Sequence, residues 1–140
     1  LGSENEAFWQ LDHEGDGIEK AYCCFASNAR DFARFGKLMK QGGNWDGKQI
    51  LDSAFVQKCV TPRFTESPQY GYGWWLHTVS GKKLYYMRGH LGQFVIVIPE
   101  DNVIIVRLGH LKGLQTKEDP HSNDLYVYVD EAYKMLAERK

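Results

Sequence analysis

Hydrophobic and polar positions follow two different periods along this chain. Between positions 29 and 40, Phe32, Phe35, Gly36 and Met39 fall at the i, i+3, i+4, i+7 spacing of one helix face. Asn28 offers an N-cap, and Asp31 puts a carboxylate in the first turn, where a helix N-terminus favours negative charge. Gly42-Gly43 is a stop signal, so the pattern predicts a helix over Ala29–Lys40. Asn44-Trp45-Asp46-Gly47 reads as a turn. A second short helix is expected over Ser53–Val60, capped by Asp52 or Ser53 and ended by Thr61-Pro62.

Further on the pattern becomes that of strands. Gly73–Val79 and Leu84–Arg88 flank Ser80-Gly81-Lys82-Lys83 and predict a hairpin. Gln93–Ile98 and Val103–Leu108 flank the turn Pro99-Glu100-Asp101-Asn102. The runs Phe94–Ile98 and Val103–Val106 are apolar at consecutive positions, as in central strands covered on both faces. The connections are too short for parallel crossovers, so the sheet should be antiparallel with helices above and below. After a loop over Gly109–Ser122, a last helix is expected over Asn123–Lys140. Its stripe of Leu125, Val129, Ala132 and Leu136 should pack on Val95, Val97, Ile104, Val106 or their sheet neighbours. The fold class is α+β, an antiparallel sheet flanked by helices. Residues 1–69 read as helix and loop, and residues 70–140 as strands plus a C-terminal helix.

Composition narrows the function classes. The 140 residues carry 17 Lys+Arg against 18 Asp+Glu, a net charge of −1, which argues against a nucleic-acid binder. Hydrophobic residues make up 43%, enough for a folded core. No apolar run approaches the roughly 18 residues that span a membrane. Cys23, Cys24 and Cys59 do not make a disulfide framework. Buried free thiols are expected, although the adjacent Cys23 and Cys24 could form a strained vicinal disulfide. Leu1-Gly2-Ser3-Glu4 has no initiator Met and no signal-like run, so either a signal is expected to have been removed or the chain to have been cut from something longer.

The histidines show no metal spacing. His13, His110 and His121 lie in polar loops and should be solvated, and His77 should sit half-exposed in a strand. His90 differs. It lies in Arg88-Gly89-His90-Leu91-Gly92-Gln93, between two strands and without a proper turn signal. Glycines in a pleated run mark either a β-bulge or the close approach of a ligand. The aromatics Tyr70–Trp75 should form core and cleft rim. The loop carboxylate pairs Glu4/Glu6 and Asp12/Glu14 should be solvated surface. Cys24 has no basic neighbour or helix start to activate it as a nucleophile.

Several stretches together resemble the C-terminal part of the serine β-lactamase and penicillin-binding-protein-like family, class C type. Asn28–Gly36 resembles its "ARDxARFG" helix, and Asn44–Leu51 its "G-x-W-x-G-x-x-I-L" turn. Tyr70–Trp75 resembles its "YGYGWW" strand entry. Gly89–Phe94, Ile98-Pro99-Glu100 and Val106–Gly109 resemble its last strands. The resemblance implies a β-lactamase/transpeptidase-like fold and acyl-enzyme hydrolysis of a small amide, ester or β-lactam, with no cofactor and no metal. His90-Leu91-Gly92 would hold the place of its third motif, K-T-G or H-x-G. His90 would assist proton transfer or bind a carboxylate, and Leu91 and Gly92 would line the substrate. The Gln93 backbone N–H would be one of two oxyanion donors.

The family's nucleophile motif S-x-x-K and its Y-x-N or S-x-N motif precede the region matched. Ser80-Gly81-Lys82-Lys83 fits the first by letters but lies in a turn, and Ser3-Glu4-Asn5 fits the second by letters out of place. No nucleophile is therefore expected in this chain, which should be a C-terminal portion that is inactive alone. A non-catalytic binding module retaining the fold is the alternative. The resemblance also implies a bacterial, extracytoplasmic setting. Loss of covering segments implies self-association through an exposed sheet face.

Overall fold

The computed structural model describes residues 1–111, 113–116 and 118–138. In chain order it contains β1 (Phe8–Trp9), β2 (Phe25–Ala26), α1 (Ala29–Lys40), β3 (Asn44–Trp45), β4 (Lys48–Gln49) and α2 (Ser53–Cys59). Then follow β5 (Trp75–Val79), β6 (Lys82–Arg88), β7 (Phe94–Ile98), β8 (Val103–Arg107) and α3 (Asn123–Ala137). β5 to β8 form one antiparallel sheet in that order, and β1/β2 and β3/β4 are small separate hairpins. The architecture is the expected α+β one. Of the last helix as expected, Arg139 and Lys140 lie outside the described residues.

α1 begins and ends where its pattern predicts. The Asn28 side chain accepts from the Asp31 N–H, and Gly42 and Gly43 adopt φ of +62° and +85° past its end. Asp31 is buried and holds the N-terminal segment: it accepts from Glu4 N–H at 2.9 Å and Ser27 Oγ at 3.1 Å, and pairs with Arg34 at 2.8 Å. The Glu4 N–H does most to hold its carboxyl below the usual range, against burial, with help from Ser27 and Arg34. Glu4 is on the surface as expected, and its carboxylate meets Arg30 at 2.7 Å and Arg34 at 3.3 Å.

The sheet is sandwiched. Phe94, Ile96 and Ile98 face α3 together with Leu84 and Tyr86, against Leu125 and Val129. Val97 and Tyr85 face the other way, onto Met39, Val56, Cys59 and Trp74. β7 is therefore buried at every position. β8 departs from expectation: it is an edge strand, half-buried throughout, because β7 is its one neighbour. α3 packs on the strand face opposite to Val95, Val97, Ile104 and Val106, through neighbours of opposite parity. Its buried residues are Leu125 and Val129, while Leu136 is exposed because Tyr133 takes the inward position and donates to Asp101. Burying Leu125 and Val129 is worth roughly 1.5–3 kcal/mol each.

Two turns also differ from expectation. The β5–β6 turn is Ser80-Gly81 alone, at φ of +50° and +78°, so Lys82 and Lys83 already belong to β6. Cys23 and Cys24 are disulfide-bonded rather than buried free thiols, and Cys24 is exposed. They lie in a surface loop with no core to enter, where the Trp9 indole donates to Cys23 O and Gln10 N–H to Cys24 O. Cys59 is the buried free thiol.

α1 crosses the sheet at Gly36, where a Cβ would stand 3.0 Å from Val95 Cγ1 and 3.2 Å from Ile104 and Val97 methyls. Gly36→Val is expected to destabilise the chain by about 1–3 kcal/mol through overpacking, read as a lowered urea midpoint at unchanged m-value.

Candidate functional site

β6 carries its backbone past the end of β5. The last β5–β6 pair is Trp75↔Tyr86, so Met87 and Arg88 pair with β7 and leave their other edge uncovered by β5. Beyond Arg88↔Phe94 the chain turns through Gly89–Gln93. This is the expected bulge, a tight turn closed by a glycine bulge: Gly89 N–H donates to Gln93 O at 2.9 Å, and Gly92 N–H to Gly89 O at 3.3 Å, so Gly92 and Gln93 together stand opposite Gly89. The turn signal is Gly92 at φ +80°, a conformation that glycine adopts without penalty.

The predicted site residues are brought together on this one turn. His90 and Leu91 are exposed, with Leu91 at 41%. The Gln93 N–H meets no acceptor among the described residues. The Gln93 side chain braces the turn instead, accepting from Leu91 N–H at 3.1 Å and donating to Gly109 O at 2.6 Å. Gly89 leaves room for it, since a Cβ there would lie 2.5 Å from Gln93 Oε1. From β8, Arg107 Nη1 donates to Leu91 O at 3.2 Å and Gly92 O at 2.6 Å.

The aromatics divide into core and rim. Trp74 is buried edge-on to Tyr85, whereas Tyr72 is 45% exposed beside Phe64. Trp75 carries the Arg88 guanidinium 4.1 Å from its ring, and Arg88 donates to Pro120 O at 2.9 Å. Ser80 stands at the far end of β6 from His90, about 20 Å along an extended strand.

One polar cluster escaped the sequence reading. His121 is buried rather than solvated, stacked on His77 with ring centroids 3.8 Å apart. Its Nδ1 shares a 2.5 Å hydrogen bond with the Tyr86 hydroxyl. The Tyr126 hydroxyl donates to Asp119 at 2.6 Å, so His77 Nε2–H is the donor to the Tyr126 oxygen at 2.9 Å. Burial, then the neighbouring His77 and Arg88, push His121 down to about 4, against the opposing pull of Asp119. Burial also lowers His77. The cluster fastens the segment before α3 to the sheet. Strand alternation puts His77 and Tyr86 on one face, but nothing in the sequence ties Asp119, His121 or Tyr126 to them.

Among the described residues, no group of three or more His, Cys, Asp or Glu side chains gathers to hold a metal ion. No helix among them is long and apolar enough to cross a membrane.

An antiparallel four-strand sheet packed between helices puts the chain in the mixed α/β class. The family model described as Beta-lactamase matches residues 9–127, and the chain belongs to that family. It is similar in fold to a solved Bacillus anthracis protein that carries the provisional name 6-aminohexanoate-dimer hydrolase, with a TM-score of 0.70 and 24% identity. That match covers 99% of this chain and 35% of the other, so the chain spans about a third of that larger protein. No curated relative matches the chain.

His121 binds its proton less readily folded than unfolded, so it contributes stability that is full above pH 6.5 and lost as the pH falls towards about 4. Nuclear magnetic resonance titration should find the His121 ring neutral at pH 5. His121→Leu should flatten the urea midpoint between pH 6.5 and 4.

Proposed function

We propose that this chain forms the sheet wall of a serine hydrolase that works through an acyl-enzyme. The observation that carries the reading is the Gly89–Gln93 turn in a chain of the β-lactamase family. It presents His90 outward and leaves the Gln93 N–H without an acceptor among the described residues. Such an N–H is what a developing oxyanion needs, and a second donor would come with the nucleophile. His90 takes the third-motif place and assists proton transfer or holds a substrate carboxylate. Exposed Leu91 lies beside the substrate, while Gly92, expected to line it too, is buried and serves by letting the turn close.

The nucleophile and its base belong, on this reading, to the part of the hydrolase that this chain does not cover. Ser80 cannot serve, because the length of β6 separates it from His90. A histidine in the third motif favours a linear amide or ester over a β-lactam. The name of the Bacillus anthracis protein, a hydrolase of an amino-acid dimer, agrees with a small amide substrate. The half-buried Val103–Val106 and Ala132, with exposed Met135 and Leu136, make an apolar strip that fits a surface which the rest of such a protein, or a second copy, covers.

Acyl transfer needs nucleophile, base and oxyanion donors around one carbon. Alone, the chain should hydrolyse neither a p-nitrophenyl ester nor a chromogenic β-lactam, and mass spectrometry should find no fluorophosphonate adduct. The larger protein should take one adduct, on a serine outside this chain. There, His90→Ala should lower kcat about 10²–10⁴-fold, the range for a lost proton-transfer group. An adduct on any serine of this chain, Ser80 included, would overturn the reading.

A further inference from the structure

The Gly89–Gln93 turn depends on a residue that the third motif does not contain. Arg107 closes β8 directly across from Phe94, the first residue of β7. Its Nη1 reaches the Gly92 carbonyl at 2.6 Å, a short charge-assisted bond, and the Leu91 carbonyl at 3.2 Å. The Gly92 carbonyl and the Gln93 N–H belong to one planar trans peptide group and point in opposite directions. Whatever holds the carbonyl therefore aims the N–H.

We infer that Arg107 is the positioning residue of the oxyanion donor: by gripping Gly92 O from beneath, it turns the Gln93 N–H outward to the substrate. The inference rests on the reading of this turn as half an oxyanion hole. Glycine at 92 leaves the adjoining torsions loosely held, so the backbone does not fix this peptide unaided. The cation also draws charge onto the carbonyl oxygen, which makes the N–H of the same group a stronger donor. The second bond, to Leu91 O, keeps the preceding peptide from flipping.

The seat of the guanidinium is shaped for it. A Cβ at Gly109 would lie 2.2 Å from Arg107 Cζ and 2.3 Å from Nη1, so any side chain there would push the guanidinium from its seat. The Tyr128 ring of α3 lies 5.8 Å from the guanidinium carbon on the helix side. Gly109 thus has two tasks: it gives room to Arg107, and its carbonyl accepts from the Gln93 side chain. This accounts for the Val106-Arg107-Leu108-Gly109 stretch, which carries no reactive group of its own. Arg107 itself touches no substrate.

The test has two arms. In the 140-residue chain, Arg107→Met removes the grip at similar side-chain length. The Gln93 and Leu91 amides should shift and lose order by ¹⁵N relaxation, while the amides of α1 and β6 stay in place. Gly109→Ala displaces the guanidinium without deleting it and should give the same pattern; it serves if Arg107→Met fails to fold. In the larger hydrolase, Arg107→Met should lower kcat per titrated active site by about 10²-fold, the cost of a donor misplaced by about 1 Å. KM should stay within about twofold, because the interaction lost is one made in the transition state. Affinity for a phosphonate analogue should fall with kcat, and Arg107→Lys should restore part of both.

A purely structural role would reduce the number of active sites and leave kcat per site unchanged, and that result overturns the inference. Gln93 amides that ignore both substitutions also overturn it, whatever the larger protein catalyses. If the amides respond but the wild-type larger protein forms no adduct, the hydrolase reading fails and the catalytic meaning of Arg107 fails with it.

Discussion

The structure depends on the burial of β7 from both sides. Five successive side chains, Phe94 to Ile98, have no solvent-facing position. Such a strand cannot stand at an edge or on a one-sided sheet, so it draws a partner strand to each flank and a helix to each face. Phe94, Ile96 and Ile98 bind α3 to the molecule, and Val95 and Val97 receive α1 at Gly36. The antiparallel register follows from the tight turns on either side.

That central strand also positions the chemistry. β7 begins at Phe94, paired at once with Arg88 on β6 and Arg107 on β8. The turn that presents His90 is therefore anchored at its root by the most buried strand. It is pinned from the side by the strand beyond. Hydrophobic packing supplies the rigidity, and two polar side chains, Gln93 and Arg107, convert it into a fixed orientation of backbone groups. The His77–His121–Tyr86 cluster performs a comparable task on the helix side, tying the loop before α3 to β5 and β6 through the buried His121 and Tyr86 rings and half-buried His77.

On the proposed reading the chain supplies a histidine and a backbone donor, and it spans about a third of the larger protein it resembles in fold. β8 and the outer half of α3 keep apolar side chains on the surface, Met135 and Leu136 among them. These features suit a division of labour in which one part of a hydrolase holds the nucleophile and another shapes the oxyanion.

Local physics made much of this legible in the sequence. The bounds of α1 follow from Asn28, the i, i+3, i+4 spacing and the glycine pair, all of which act within a few residues. The antiparallel order of β5 to β8 follows from connection lengths, and the proposed His90-Leu91-Gly92 site rests on motif order. Tertiary structure decided the rest, because it depended on partners far apart in the chain. Which face of the sheet α3 would cover was decided by the packing of Leu125 and Val129 on Phe94, Ile96 and Ile98. The burial of His121, the pairing of Cys23 with Cys24 and the grip of Arg107 on Gly92 depend on groups that no sequence period connects. Periodicity reports which side of an element is apolar; it carries no information on which polar groups meet once that side is buried.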